Sequence, residues 1–226
     1  FYGSLPQIGM SIGLLLASGV IALLSALLSP EAFLSWGWRV AFILSAALLI
    51  VGSYMRLTVQ ETRDFAEAKA KAPEARFPLL EVFRRYPRMV LAGMGARFLD
   101  GVSFNVFGVY SLTYLTQQHG VHREAALSSL IVASAVMAVA IPFWGQFADR
   151  HGKAKIFGIC VLLLGIVSFP AFWVLHNHAH NFVLVTLTLT IAFAILHAGQ
   201  YATMASLFSD SFPAEVRYSG ISFVYQ

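Results

Sequence analysis

The chain has 226 residues, of which 58% are hydrophobic and only 12% are charged. A soluble domain usually carries about 25% charged residues, and its interior is too small for so many apolar side chains, which excludes an ordinary water-soluble fold. The net charge of +4 could suggest nucleic-acid binding. However, the basic residues lie between apolar segments and not along one face, so no nucleic-acid partner is expected.

Six segments are long and apolar enough to cross a bilayer, which takes about 20 residues in a helix. We therefore predict an all-α membrane protein with six complete transmembrane helices and the start of a seventh near Ser219. The predicted spans are residues 5–28, 38–55, 89–117, 125–147, 156–175 and 182–208. Because the chain begins beside one apolar segment and stops within another, we expect it to be a piece of a longer protein.

The connections between these spans alternate in charge. Most of the 15 Lys and Arg residues lie in 56–88 (from Arg56 to Arg88), 149–155 and 209–218. The intervening connections hold only Arg123, with Arg39 at the start of the second span. Basic residues favour the cytoplasmic ends of membrane helices. We predict a multi-pass protein surrounded by lipid, with 56–88 as a cytoplasmic loop.

The third span carries ionisable residues, which inside a membrane usually face a cavity or a charged partner. Arg97 and Asp100 are three residues apart and share a helix face, and Asn105, eight residues beyond Arg97, is placed near that face. In a functional interpretation, Asp100 binds and releases a proton while Arg97 holds an anionic substrate. The alternative is a structural ion pair near the cytoplasmic end of the helix.

The sixth span places His197, Gln200 and Tyr201 on one helix face, since residues three and four apart are neighbours. His197 falls near the middle of the span, and the unperturbed pKa of histidine, about 6.5, suits a proton carrier. Gln200 and Tyr201 are predicted to contact the substrate. The alternative is a neutral histidine that is hydrogen-bonded to a neighbouring helix.

Other candidate ligands lie in the predicted outer turns, where His176, His178 and His180 alternate. This tract has no acidic partners and lies in a short turn, so a solvated turn is preferred and no metal site is predicted. His119 and His122 receive the same interpretation.

A motif follows the fourth span and reads Gly145-Gln-Phe-Ala-Asp149-Arg150-His-Gly152-Lys153-Ala-Lys155. It resembles the signature G-x-x-x-D-R-x-G-[RK]-[RK] of the major facilitator superfamily, although alanine stands where a second basic residue is common. The aspartate can face the positive N-terminal end of a neighbouring helix while the inner side is closed. The resemblance implies a gating role for Gly145, Asp149, Arg150, Gly152 and Lys153.

Four further stretches resemble the metabolite:proton symporter family of this superfamily, which includes carriers of shikimate, 2-oxoglutarate, citrate and proline or glycine betaine. They are Asp210 with Phe212-Pro-Ala-Glu-Val-Arg217-Tyr-Ser-Gly220, Ser35-Trp-Gly-Trp-Arg39, Phe1-Tyr-Gly-Ser-Leu-Pro-Gln-Ile-Gly9, and Arg97-x-x-Asp100. In the last, the family usually has glutamate. The resemblance adds Asp210 and Arg217 to the predicted gating residues.

The resemblance also implies a major facilitator helical bundle in the bacterial cytoplasmic (inner) membrane, of which this chain covers about helices five to eleven. Residues 1–56 would hold the last two helices of the N-terminal six-helix bundle, and 57–88 the cytoplasmic inter-bundle loop. Residues 89–226 would hold the first four helices and the start of the fifth of the C-terminal bundle. The third and sixth spans would then line the central cavity, completed by the remaining helices of the same transporter.

Together these features predict a proton-coupled secondary active transporter, a symporter that imports a small polar metabolite by alternating access. The substrate is expected to be an organic acid or a zwitterion, and the proton is the coupling ion with no other cofactor. Two alternatives stay open: a proton-antiport exporter of drugs or metabolites, and a transporter-like membrane sensor. The sequence holds no recognisable nucleophile–base arrangement, metal-ligand spacing or phosphate-binding loop, so an enzyme is not predicted.

Overall fold

The computed structural model describes residues 2–58, 78–213 and 216–225, and every regular element within those ranges is helical. The helices are α1 (Leu5–Leu27), α2 (Trp38–Thr58), α3 (Pro78–Arg85), α4 (Pro87–Phe104), α5 (Arg123–His151), α6 (Lys153–Asn177), α7 (Phe182–Leu189), α8 (Ala198–Ser211) and α9 (Arg217–Tyr225). Most of the predicted inter-bundle loop, 57–88, lies outside the described residues.

Several of these helices are joined or extended by π-helical turns, which are often found at functional sites. The segment Phe33–Gly37 precedes α2, Asn105–Tyr110 and Tyr114–Gln118 extend α4, and Thr190–His197 joins α7 to α8. The last of these π segments ends on the predicted proton carrier, His197.

Five helices in the described residues are long and apolar enough to cross a membrane, and they confirm five of the six predicted spans. They are Leu5–Leu27, Pro30–Met55, Arg123–His151, Lys153–Asn177 and Phe182–Ser211. The remaining predicted span is helical over residues 87–118 but is not among the helices that are apolar enough to qualify. Its apolar run is interrupted by Arg97, Asp100 and Asn105, which makes it less apolar than the other five. The predicted seventh span corresponds to α9, which begins at Arg217.

The turn between α5 and α6 depends on Gly152, whose φ of +97° lies in a region that side-chain-bearing residues rarely adopt. Its N–H donates to the carbonyl of Ala148 at 2.9 Å, which closes the last turn of α5. Lys153 then starts α6 without an intervening loop. This turn explains physically why the motif has glycine at this position.

The helices pack around α5, which contacts α1 along its length and also touches α6, α7 and α8. Its inward face supplies Leu130, Ala133, Met137 and Ile141, all at most 3% exposed. The outer faces of α2 and α6 are apolar and open, with Phe42 69%, Ile50 72% and Phe169 84% exposed. Such large exposed apolar surfaces are stable in hydrocarbon and unfavourable in water.

Glycine allows close helix contact in the sixth span but not in α1. A methyl group at Gly199 would lie 2.5 Å from Cys160 Sγ and 3.0 Å from the Trp144 ring, so α8 packs tightly on α5 and α6 there. The same group at Gly9 or Gly13 would meet no atom within 4 Å. In the described residues, the glycines of α1 therefore do not mediate its contact with α5.

Candidate functional site

The structure brings a carboxylate and an imidazole from distant parts of the chain together inside the bundle. Asp100 lies on α4 and is 1% exposed, while His197 ends the π segment before α8 and is 0% exposed. Their nearest atoms, Asp100 Oδ1 and His197 Nδ1, are 3.7 Å apart, which is too long for a direct hydrogen bond. The spacing leaves both atoms available to a proton or to a bound molecule.

Arg97 is the charged partner of Asp100 on the same helix. Its guanidinium donates to Asp100 Oδ2, and its Nε donates to the backbone carbonyl of Tyr225 at 3.3 Å. The guanidinium carbon also lies 5.6 Å from the centre of the Tyr225 ring. The Arg97 side chain is 37% exposed, so the pair has a buried anion and a cation that remains partly accessible.

The imidazole of His197 is held between aromatic rings. Phe193 and Tyr201, four residues before and after it, stack on its two faces with ring centroids 5.3 Å and 5.9 Å away. Phe104 of α4 lies against it at 6.2 Å. The stack therefore fixes the imidazole ring by packing, while neither of its nitrogens has a hydrogen-bond partner among the described residues.

Five polar atoms around this cluster are buried and lack partners within the part of the chain that the structure describes. They are Asp100 Oδ1, both ring nitrogens of His197, and Nε2 and Oε1 of Gln200. Leaving such groups unpaired is unfavourable by about 1–3 kcal/mol each, and buried polar groups almost always have a partner. The concentration of unsatisfied atoms here indicates a place where a proton, water or polar ligand binds.

The predicted residues divide into those that join this cluster and one that does not. Arg97, Asp100, His197 and Tyr201 are linked by the contacts above, and Gln200 is buried three residues after His197. Asn105 is exposed, and its side-chain amide donates to the carbonyl of Gly101 in its own helix at 2.8 Å. Asn105 is therefore placed away from the cluster.

Two polar residues near the cluster, Gln7 and Tyr225, were not predicted from the sequence. Gln7 of α1 is 8% exposed, and its side-chain nitrogen lies 3.3 Å from the carbonyl of Tyr201 and 3.4 Å from the hydroxyl of Tyr225. Gln7 therefore ties α1 to α8 and α9 beside Arg97. A lone amide inside an apolar span was the signal that could have identified it, since such groups need a partner in a membrane.

The predicted gating residues lie at one end of the bundle. Lys153 Nζ, at the start of α6, donates to Asp210 Oδ2, near the end of α8, at 2.6 Å. Gly145 is buried in α5, whereas Asp149 and Arg150 are exposed in its last turn. Arg217 starts α9, and its side chain is outside the described part. The structure thus pairs two of the predicted gating residues across this end.

A bundle of membrane helices with a buried, incompletely satisfied charge cluster is a pattern found in secondary transporters. The chain belongs to the Major Facilitator Superfamily, whose sequence model matches residues 4–225. Its five membrane-spanning helices make it a multi-pass membrane protein. Its relatives are named transporters, and one of them is named an inner membrane protein. No solved structure matches the chain significantly.

Three curated relatives indicate the family within this superfamily to which the chain is most similar. The chain is 34% identical over 228 residues to an inner membrane metabolite transport protein of Escherichia coli K12, covering 99% of this chain and 51% of the relative. It is 29% identical to the shikimate transporter of Escherichia coli K12, covering 100% and 52%, and 25% identical to that organism's proline/betaine transporter, covering 98% and 46%. The predicted resemblance to metabolite:proton symporters is confirmed. The chain spans about half the length of these relatives.

Proposed function

We propose that the full-length protein is a secondary active transporter that imports a small polar metabolite together with a proton. The observation that carries this proposal is the buried pair of Asp100 and His197, with unpartnered polar atoms facing each other beside Arg97. A charged group at membrane depth is costly to retain, so selection for transport is a better reason for it than stability. No other cofactor is part of the proposal.

The proton would act by changing the partner of Arg97. When Asp100 is ionised, its carboxylate forms an ion pair with the guanidinium of Arg97 and neutralises the positive charge. Protonation removes the negative charge, weakens this ion pair and leaves the partly exposed Arg97 free to hold an anion. Proton binding would therefore favour binding of an anionic substrate, which couples the two in the same direction. His197, 3.7 Å from Asp100, is placed to receive or pass on the proton.

The substrate would carry a carboxylate and at least one further polar group. Arg97 can bind a carboxylate through two parallel hydrogen bonds, and the side-chain amide of Gln200 has both a donor and an acceptor without partners among the described residues. Shikimate, proline and betaine, for which two relatives are named, all contain a carboxylate. These names support an organic acid or zwitterion as the substrate class.

Alternating access would require this site to open to each side of the membrane in turn. Lys153 and Asp210 join the ends of α6 and α8 by an ion pair, while Gln7 joins α1 to α8 and α9 close to Arg97. If residues 1–56 belong to one bundle and 89–226 to the other, the Gln7 contacts cross between bundles. Rocking of the bundles around the site would break and remake these contacts.

The test is uptake by the full-length protein in vesicles with an imposed pH gradient. Shikimate, 2-oxoglutarate, citrate, proline and betaine would be offered separately. Accumulation that collapses on addition of a protonophore supports proton symport. Accumulation that persists without a pH gradient refutes the coupling. Proton-driven efflux would instead identify the antiport alternative, and saturable binding without any flux would identify a sensor.

A further inference from the structure

A second cluster of titratable side chains lies at the opposite end of the bundle from Lys153 and Asp210. Tyr114 and His119 lie at the end of the helical stretch that continues α4, and His176 is in the last turn of α6. The proposed transport mechanism uses none of these residues. Their side chains nevertheless converge on one another from two separate helices.

The three rings contact each other closely. The ring centroids of His119 and His176 are 5.0 Å apart, and the centroid of His119 is also 5.0 Å from that of Tyr114. The hydroxyl of Tyr114 lies 3.0 Å from Nδ1 of His176. A zinc–nitrogen bond of about 2.0–2.1 Å and a tetrahedral angle place two ligating imidazole centroids roughly 5 Å apart. The two histidines already have this separation.

The nitrogen atoms are also in a state that suits metal binding. Nε2 of His119 is buried and has no hydrogen-bond partner among the described residues. His176 is bonded through Nδ1, which leaves its Nε2 for a ligand. Metal-bound imidazoles usually have their second nitrogen held in this way by a hydrogen-bond partner. Tyr114 would be that orienting partner when Nδ1 of His176 carries the proton.

We propose that His119 and His176, with Tyr114 orienting His176, form a binding site for a divalent transition-metal ion such as zinc. Imidazole nitrogen favours zinc, copper and nickel over magnesium or calcium. The site has two protein nitrogens, and water would complete the coordination sphere. It is therefore an exchangeable site, unlike the closed four-ligand sites that stabilise folds.

This site differs from the alternating tract His176, His178 and His180. Within the residues that the structure describes, no three or more His, Cys, Asp or Glu residues are grouped so as to hold a metal ion. His178 packs on the ring of Trp173 at 6.0 Å, and His180 is exposed. The tract therefore contributes only His176, and His180 becomes a matched control.

The experiment titrates tag-free, purified full-length protein with Zn²⁺ by calorimetry. His119→Ala and His176→Ala should each weaken binding at least about tenfold, since each removes one of two ligands. Tyr114→Phe should weaken it by roughly tenfold or more through loss of orientation, with unchanged stoichiometry. His180→Ala should bind like the natural protein. Equal losses in His180→Ala, or no Zn²⁺ binding by the natural protein, would overturn the proposal.

Co²⁺ absorption distinguishes loss of a metal ligand from misfolding of the variant. His176→Asn keeps a polar side chain near Tyr114 and removes an imidazole, so it should fold while losing the visible band that nitrogen ligands give to bound Co²⁺. Zn²⁺ should also raise the unfolding temperature of the natural protein but not of His119→Ala. An unchanged Co²⁺ band in His176→Asn would place the metal elsewhere and refute this site.

Discussion

Asp100 Oδ1 and His197 Nδ1 lie 3.7 Å apart across the contact between α4 and the segment that leads into α8. The other carboxylate oxygen of Asp100 is bonded to Arg97, so one carboxylate faces a permanent cation on one side and a titratable ring on the other. Moving a proton onto this carboxylate changes the charge of the whole cluster. This arrangement makes Asp100 the residue on which proton coupling is most directly tested.

Asp100→Asn should abolish accumulation driven by a pH gradient. Asparagine cannot bind and release the proton, and it leaves Arg97 free to hold the anionic substrate throughout the cycle. Exchange of labelled for unlabelled substrate across the membrane should survive, because exchange requires reorientation of the loaded carrier but no net proton movement. The measurement compares gradient-driven uptake with exchange in the same vesicles.

Glu124→Gln is the matched control for this substitution. Glu124 is an exposed carboxylate in the first turn of α5, far from α4 in sequence, and loses its charge in the same way. Uptake by Glu124→Gln should equal that of the natural protein. Retention of gradient-driven accumulation by Asp100→Asn would remove Asp100 from the coupling mechanism.

His197→Phe separates a functional histidine from a structural one. Phenylalanine can keep the stack between Phe193 and Tyr201 while removing two buried nitrogens that lack partners among the described residues. Each such unsatisfied group is unfavourable by about 1–3 kcal/mol, so the unfolding temperature should stay equal or rise. Proton-driven uptake should nevertheless fall at least about tenfold if the imidazole carries the proton. Unfolding and uptake are measured on the same preparation.

Unfolding temperature and proton-driven uptake together distinguish the possible roles of His197. A lower unfolding temperature together with lost uptake would support the structural alternative, in which histidine is a packed and hydrogen-bonded core residue. Normal uptake with unchanged stability would show that the ring acts only by filling space. His151→Phe is the control, because His151 is exposed at the end of α5 and stacks on Phe147.

Local patterns in the sequence predicted most of the spans and the pairing of Arg97 with Asp100, because these depend on residues close in the chain. The approach of Asp100 to His197 depends on how α4 packs against the sixth span, and no local periodicity specifies that contact. The link from Gln7 to Tyr225 joins residues near opposite ends of the chain. Such contacts follow from the packing of the whole bundle.

Asn105 departs from its predicted position near the helix face of Arg97. Eight residues at about 100° each place a side chain roughly 80° from its starting face, so Asn105 does not share the face of Arg97 even on a regular helix. The glycines of α1 show a related limit, because small size permits close packing without showing which face is packed.

Gly199→Ala should destabilise the protein by about 1–3 kcal/mol, as expected for overpacking of a tight core. The new methyl group would lie 2.5 Å from Cys160 Sγ and 3.0 Å from the Trp144 ring, which forces α8 away from α5 and α6. The measurement is the unfolding temperature of the purified protein. Cys160→Ala in the same molecule should recover part of the loss by making room.

Gly165→Ala provides the comparison for Gly199→Ala. It adds the same methyl group to α6 at a position where no atom lies within 4 Å, and alanine is the better helix former. Its unfolding temperature should be unchanged or slightly higher. If Gly199→Ala behaves in the same way, α8 does not pack against Cys160 as the structure shows.

Lys153→Asp and Asp210→Lys should each shift the carrier away from the conformation in which this end is closed, whereas the double substitution should restore it. The ion pair is 2.6 Å long, but Asp210 is 62% exposed, and exposed pairs contribute only about 0–1 kcal/mol. The expected shift in the ratio of closed to open carriers is therefore at most about fivefold, with little change in unfolding temperature.

Labelling of a cysteine introduced at this end would measure the shift. Lys155→Asp, an exposed lysine in the same turn, should leave the labelling rate unchanged. If the shift in the double variant equals the sum of the shifts in the two single variants, the two side chains do not act as a pair. A true pair would regain its attraction when the charges are swapped, and the double variant would then label like the natural protein.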